Sequence, residues 1–340
     1  MNLESSRPRL TPAIADVRRA VRETLDAAGL SADALVLVAC SGGADSVALA
    51  AATAFEAPRL GMRAGAVVVD HQMQPGSAQV AATVAQQLQA LGLAPVVVKT
   101  VEVGQEGGPE AAARDARYEA LDAAAAELDA AKVLVGHTLN DQAETVLLGL
   151  ARGSGARSLN GMAAVAGIYL RPLLGITRAT TETFCSDSGL EDWHDPMNTD
   201  ERFSRVRVRN SLLPALEKEL GPGVAEALAR TADQLREDDD LLSRLAAEAF
   251  GAVAQIKATQ IELDIQGFKN LPLAIRHRVV QLAAQKLDAP MLSRVHIVGV
   301  DELVDRWHGQ KPLTLPGIRV ERTGDQIALK TTKTLKPGAC

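Results

Sequence analysis

Residues 35–46 read Leu35-Val36-Leu37-Val38-Ala39-Cys40-Ser41-Gly42-Gly43-Ala44-Asp45-Ser46, and this stretch decides the fold. Leu35 to Ala39 is a short continuous apolar run, the pattern of a buried strand. Two adjacent glycines then allow a tight turn, and an Ala/Leu-rich helix is expected from Val47. Reading outward, the same alternation recurs. Ala66 to Val69, Val96 to Lys99 and Lys132 to Val135 are further apolar runs, and Ile168 to Leu170 is a candidate fifth. Residues 13–28, 77–91 and 109–128 read as helices, with Gly29 and Gly92 as stops and Pro109 in a first turn. Short strands spaced by helices predict an α/β fold, a parallel five-stranded sheet with helices on both faces. Ligands of such sheets lie beyond the carboxyl ends of the strands.

Downstream the texture changes. Residues 191–209 are charged and turn-rich, and residues 211–246 read as one long helix carrying the acidic stretch Glu237 to Asp240. Ile261, Leu263 and Ile265 alternate as a strand, residues 271–287 and 293–307 read as helices, and residues 313–330 read as a hairpin turning at Gly324-Asp325. The expected organisation is a catalytic domain over 1–215, a helical linker over 216–250 and a small α+β C-terminal domain over 251–336.

Composition bounds the function. The 340 residues are 47% hydrophobic and 23% charged, which excludes collagen-like and disordered chains. No apolar run approaches the roughly 18 residues of a membrane span, and the N-terminus shows no apolar signal segment, so a cytoplasmic location is expected. Cys40, Cys185 and Cys340 are scattered and form no CxxC pair, which suits a reducing compartment rather than a disulfide framework. The net charge of -6 does not suggest nucleic acid, but net charge says nothing about local patches. Residues 311–336 carry six basic residues (Lys311, Arg319, Arg322, Lys330, Lys333, Lys336) against Glu321 and Asp325.

Two motifs carry chemistry. The first is Ser41 to Ser46. Its glycines, its two serine hydroxyls and a following helix N-terminus suit a phosphate, and Asp45 suits such a site when a divalent cation bridges it to the phosphates. It is neither GxxxxGK[ST] nor GxGxxG; the plain structural alternative is a capped strand-to-helix turn. The second is Gly136-His137-Thr138-Leu139-Asn140-Asp141-Gln142-Ala143-Glu144-Thr145. On one helix, His137, Asp141, Glu144 and Thr145 share a face, able to hold a metal or activate an amine. The alternative is an acidic helix start that complements the dipole.

Ser41 to Ser46 resembles the SGGxDS loop of the N-type ATP pyrophosphatases, the PP-loop superfamily. The second motif, with Val69-Asp70-His71, Ala113 to Tyr118, Arg152-Gly153-Ser154-Gly155, Arg171 to Leu174, the Trp193…Asp195…Asn198…Asp200…Arg209-Asn210 run and Gly309…Lys311…Leu315-Pro316-Gly317, resembles the tRNA(Ile)-lysidine synthetase family across most of the chain. Asn140 stands where that family usually has an acid, and Gln72 where it often has glycine.

The resemblance implies an adenine-nucleotide alpha-hydrolase-like fold and an ATP-dependent carbon–nitrogen ligase. ATP would adenylate the C2 oxygen of the wobble cytidine in a tRNA(Ile) with a CAU anticodon, and the ε-amine of free L-lysine would then displace AMP. It implies ATP and Mg²⁺ as cofactors, with Ser41, Gly42, Gly43, Ala44, Asp45, Ser46, Asp70, His71 and Gly136 around the nucleotide and Asp45 facing the metal. Asp141 and Glu144 would take lysine. Asp45, Asp141, Arg114, Arg209 and His137 would be the catalytic set. Arg202, Arg205, Arg207, Arg209 and Lys311 would meet tRNA. An extended segment would put Arg205, Arg207 and Arg209 on one side. A homodimer is compatible with this, a membrane is not required, and another PP-loop tRNA-modifying or amide-forming ligase is the competing reading, followed by a binding protein without catalysis.

Overall fold

The structure, a computed structural model, describes residues 10–104, 108–153, 155–193 and 200–332. Ser154, Asp195, Asn198, Lys333 and Lys336 lie outside the described residues. The chain divides into two compact units between Leu235 and Arg236.

The first unit carries strands β1 (Leu35–Ala39), β2 (Arg63–Asp70), β3 (Val96–Thr100), β4 (Ala130–Val135), β5 (Val165–Ala166) and β6 (Tyr169–Leu170). They form one sheet in the order β3-β2-β1-β4-β6-β5. Every neighbour pair is parallel except β5 with β6. The sheet thus has six strands rather than five. The extra one is a two-residue hairpin arm at the edge, too short to show any periodicity in sequence.

Six helices accompany these strands: α1 (Pro12–Ala27), α2 (Ala44–Glu56), α3 (Ser77–Ala90), α4 (Pro109–Glu127), α5 (Leu139–Ala151) and α6 (Arg178–Ser188). Strand β1 explains why they cover both faces. Its alternate residues Val36 and Val38 enter one core with side chains of α1, α2, α3 and α6. Leu35, Leu37 and Ala39 enter another with Leu121, Ala124 and Ala125 of α4. Leu37 is fully buried, and truncating it to alanine should cost about 2–5 kcal/mol. The chain builds β1, β2 and β3 to one side and then returns to place β4 on the other side of β1. The crevice of such a reversal opens between the carboxyl ends of β1 and β4.

Residues 200–253 hold α7 (Ser204–Arg207), a π-helical turn (Val208–Leu212), α8 (Leu213–Leu220) and α9 (Val224–Val253). The extended segment expected for Arg205 to Arg209 is therefore helical. The single helix expected over 211–246 is broken at Gly221-Pro222-Gly223, where the two glycines adopt φ of 92° and 98°. The Glu217 carboxylate closes the break by accepting the N–H groups of Gly223 at 2.7 Å and Ala225 at 3.0 Å.

The second unit has β7 (Ala254–Ile256), β8 (Gln260–Asp264), α10 (Ile265–Lys269), α11 (Leu273–Lys286), α12 (Arg294–Asp305), β9 (Leu313–Leu315), β10 (Ile318–Thr323) and β11 (Gln326–Thr331). Its sheet runs β7-β8-β11-β10-β9 and is antiparallel throughout. The hairpin expected around Gly324 is β10–β11, with Gly324 at φ 59°. Ile265 leaves the strand expected for it, because Asp264 caps a helix there and accepts the Gly267 N–H at 2.6 Å. Among the described residues, no helix is long and apolar enough to cross a membrane.

Candidate active site

The turn after β1 is built around Gly42 and Ser46. Gly42 adopts φ 90°, and a Cβ there would lie 2.7 Å from Val84 Cγ2, so both conformation and space demand glycine. The Ser46 hydroxyl accepts the Ser41 N–H at 3.1 Å and donates to the Gly43 carbonyl at 2.9 Å, which closes the loop on itself. No side chain caps the start of α2. The Ser46 N–H donates to the Gly43 carbonyl at 3.0 Å, which leaves those of Ala44 and Asp45 for an anion. Gly136, at the end of β4, touches this turn from the side: a Cβ there would stand 3.2 Å from the Asp45 carbonyl and the Ser46 Cα.

The second motif starts its helix one residue later than a continuous face requires. Thr138 is the N-cap of α5, so His137 precedes the helix and only Asp141, Glu144 and Thr145 share its face. Thr138 and Asp141 form a capping box: Asp141 Oδ2 accepts from the Thr138 N–H and hydroxyl, both at 2.8 Å. One oxygen of the Asp141 carboxylate thus serves the helix cap, and the other is free of it.

The other oxygen of Asp141 joins an ion cluster. Arg178, at the start of α6, gives each of its three guanidinium nitrogens to a different carboxylate: Nε to Asp45 at 3.4 Å, Nη1 to Glu144 at 3.4 Å and Nη2 to Asp141 at 3.0 Å. Arg209 Nε meets Glu144 at 2.7 Å and its Nη2 meets Asp141 at 3.1 Å. Arg205 Nε meets Glu144 at 3.1 Å and its Nη2 donates to the Thr145 hydroxyl at 2.8 Å. Thr181 donates its hydroxyl to Asp45. Asp45, Asp141 and Glu144 are therefore matched one for one by Arg178, Arg205 and Arg209. Glu144 is wholly buried beneath these arginines.

Burial disfavours a charge on any of these groups, and the partners decide the outcome. Burial dominates at Asp45 and pushes its carboxyl up, despite Thr181 and Arg178. At Asp141 burial acts the same way, but Arg178, the Thr138 N–H and Arg209 outweigh it and hold the carboxyl below its ordinary range. Burial carries His137 down to about 3, so its imidazole is neutral near pH 7. Burial also lowers Arg117.

These groups surround one cavity of about 560 Å³. Ser41, Gly43 to Ser46, Gly136, His137 and Asp141 line it, as do Arg117, Arg178, Arg205 and Arg209. Trp193 closes a side, held by its N–H to the Gly42 carbonyl at 2.9 Å. A small hollow nearby is bordered by Cys40, Ser41, Val67, Val69, His71 and Arg117. Asp70 accepts the Gln72 N–H at 2.9 Å, and Gln72 adopts φ 53°, a left-handed conformation that glycine would take without strain.

Not every candidate arrives here. Arg114 is exposed, its guanidinium 5.1 Å from the Tyr118 ring, and is not in the cavity wall. Arg202 and Arg207 are also exposed: Arg202 pairs with Asp200 and Arg207 donates to the carbonyls of Glu201 and Arg202. Lys311 is an exposed residue of the second unit. Conversely, Arg178 and Thr181 went unnoticed in the sequence. No local pattern marks them: Arg178 merely opens α6 after its N-cap Thr177, and its carboxylate partners are 34 or more residues away in sequence.

No group of three His, Cys, Asp or Glu side chains that could hold a metal ion occurs among the described residues. A lone carboxylate such as Asp45 suits Mg²⁺, which keeps waters and takes phosphate oxygens as its other ligands.

Known proteins resemble this chain along most of its length. Residues 15–216 match a PP-loop domain and residues 263–327 a TilS substrate binding domain. A tRNA(Ile)-lysidine synthase of Leifsonia xyli subsp. xyli is 58% identical over 294 residues, 86% of this chain and 89% of that relative. One of Thermobifida fusca is 52% identical over 316 residues, 92% of this chain and 96% of its own. Among solved structures, a U34-tRNA thiolase of Methanococcus maripaludis superposes with a TM-score of 0.56 at 19% identity, over 66% of this chain and 80% of its own, a likeness of fold alone.

Proposed function

The chain belongs to the tRNA(Ile)-lysidine synthase family, and from that premise we propose that it is an ATP-using ligase that joins free L-lysine to the wobble cytidine of a tRNA(Ile) with a CAU anticodon. The cytidine C2 oxygen attacks the α-phosphorus of ATP and pyrophosphate leaves. The lysine ε-amine then attacks C2, and AMP departs with the former C2 oxygen. The amine loses its protons in the process, because only the neutral amine is nucleophilic.

The residues divide this work by position. The N–H groups and hydroxyls from Ser41 to Ser46 hold the phosphates, with Asp70, His71 and Gly136 at the nucleotide's border. Mg²⁺, when bound, neutralises phosphate charge, and Asp45 with phosphate oxygens would hold it. Neutral His137 offers a hydrogen bond to a phosphate oxygen. Asp141 holds the lysine ammonium, with Glu144 behind it. A carboxylate held low is a weak base; its first contribution is electrostatic attraction. Arg209 offsets charge on the adenylated cytidine, and Arg117, in the cavity wall, is better placed than Arg114 to assist. Exposed Arg202, Arg207 and Lys311 suit tRNA phosphates.

One observation carries this reading: the turn Ser41–Ser46 and the Asp141 face of α5 open into the same cavity. The test is incubation with ATP, Mg²⁺, labelled lysine and a CAU-bearing tRNA(Ile) transcript, with each component omitted in turn. Lysine should enter the tRNA only in the complete mixture, with AMP and pyrophosphate as products. Incorporation without ATP, or none at all in the complete mixture, would overturn the reading.

A further inference from the structure

The ion cluster raises a question of charge. Asp45, Asp141 and Glu144 are matched by three guanidiniums. Both oxygens of Glu144 already accept from arginines, and Asp141 divides its two between Thr138 and the arginines. An ammonium ion approaching this cluster finds no open acceptor on Asp141 or Glu144, although Glu182 and Asp192 also line the cavity. Placing a fourth cation beside three others in a partly buried site is unfavourable unless one leaves or an anion arrives.

Arg178 is the arginine that joins the two halves. It alone of the three bonds Asp45, on the phosphate-facing helix α2, as well as Asp141 and Glu144 on α5. Its side chain is 21% exposed and lines the cavity, so a phosphate there is within its reach of competition. A guanidinium pairs bidentately with phosphate, for which it has a geometric preference.

We propose that Arg178 is a positioning residue that keeps the amine site shut until nucleotide binds. In the free protein its guanidinium occupies the place of the substrate ammonium between Asp141 and Glu144. Triphosphate bound at Ser41–Ser46 draws Arg178 away from α5, and the vacated acceptors then receive the lysine ε-ammonium. Nucleotide and lysine are thereby coupled: each raises the affinity for the other by the same factor, as linkage requires. The proposal rests on the lysine-ligase reading above and adds to it an order of binding.

The test is equilibrium dialysis of labelled lysine against the full-length protein, without tRNA, with and without Mg²⁺ and a non-hydrolysable ATP analogue. The wild type should bind lysine about tenfold tighter with the analogue, within the usual range of coupling between sites. Arg178→Gln should bind lysine equally in both conditions, because neutral glutamine releases the acceptors permanently. Arg178→Lys, which cannot bridge three carboxylates at once, should show reduced coupling, and it serves if the glutamine variant does not fold. The wild-type comparison stands without any variant. Equal lysine affinity with and without analogue, no lysine binding in either, or coupling retained in Arg178→Gln would each overturn the proposal. If lysine still enters tRNA in the complete reaction, such a result overturns the gate alone; absence of incorporation overturns the ligase reading itself.

Discussion

Asn140 Oδ1 accepts the backbone N–H of Arg178 at 2.9 Å, tying the first turn of α5 to the first turn of α6. Its side-chain oxygen does a job that an Asp carboxylate would also do. It fixes the backbone from which Arg178 reaches its three carboxylates. Asn140→Asp should therefore keep lysine incorporation within a few-fold of wild type. Asn140→Ala leaves a part-buried N–H unpaired and should cost about 1–3 kcal/mol of stability. Urea denaturation beside the lysine-incorporation assay checks both; an alanine variant as stable and active as wild type would show that the contact is idle.

Gly136 has room for nothing larger. A methyl group would press on the Asp45 carbonyl and Ser46 Cα at 3.2 Å, and backbone cannot rotate aside as a side chain can. Gly136→Ala should shift the turn, lowering stability by about 1–3 kcal/mol and weakening nucleotide binding. Titration with a fluorescent ATP analogue reads the second effect. Unchanged affinity would mean that the turn tolerates displacement.

What could be read from the sequence follows from the length of the pattern that carries each feature. Leu35 to Ala39 sends alternate side chains into two cores, so its continuous apolar run announced a central strand. Val165–Ala166 is too short to announce anything. The run Arg205, Arg207, Arg209 misled because period two and period four are compatible with the same letters. Read as a strand, all three share a face. Folded as helix, Arg205 and Arg209 turn together onto Glu144 while Arg207 faces solvent. Asp141 and Glu144 were legible because a three-residue spacing within one helix keeps both side chains on the same face. Arg178, 34 residues beyond Glu144, reaches them through tertiary packing that no local spacing reports.

That geometry separates Arg205 from Arg207 experimentally. Arg207→Ala should leave stability unchanged and weaken tRNA binding at every sequence, lowering the slope of log affinity against log salt by about 1. Arg205→Ala removes one of the cations over wholly buried Glu144 and should cost about 2 kcal/mol. Filter binding at several salt concentrations and thermal unfolding distinguish them. Equal stability losses in the two variants would contradict the helical assignment.

His137 gives the site a dependence on acid. Its folded pKa is about 3 against an ordinary 6.5. Between those values the unfolded chain binds a proton that the folded chain refuses. Stability from this group is complete above pH 6.5 and is lost as pH falls toward 3, at up to about 1.4 kcal/mol per unit. Asp141, held below 3.8, acts in the same direction at lower pH, whereas Asp45, pushed up, favours the fold at acid pH. Comparison with His137→Gln isolates the histidine. Between pH 7 and 5 the wild type should lose more stability than the variant in urea titrations; parallel losses would mean that His137 takes up a proton in the fold.

Asp141 is asked to do two things, and one substitution separates them. Asn keeps an oxygen for the Thr138 N–H, so the start of α5 should survive. It removes the charge that balances Arg178 and Arg209 and that would attract an ammonium. Asp141→Asn should lose about 3 kcal/mol of stability, the cost of stripping one partner from a partly buried ion pair. It should still bind an ATP analogue, because the turn at Ser41–Ser46 is untouched. Lysine incorporation should fall by about a hundredfold or more, as for removal of a group that acts on the nucleophile. The discriminating measurement is pyrophosphate release in the presence of tRNA and absence of lysine. If Asp141 serves only the amine, that release proceeds in the variant; if it stops along with lysine incorporation, Asp141 acts in adenylation as well, and the division of labour between α2 and α5 falls.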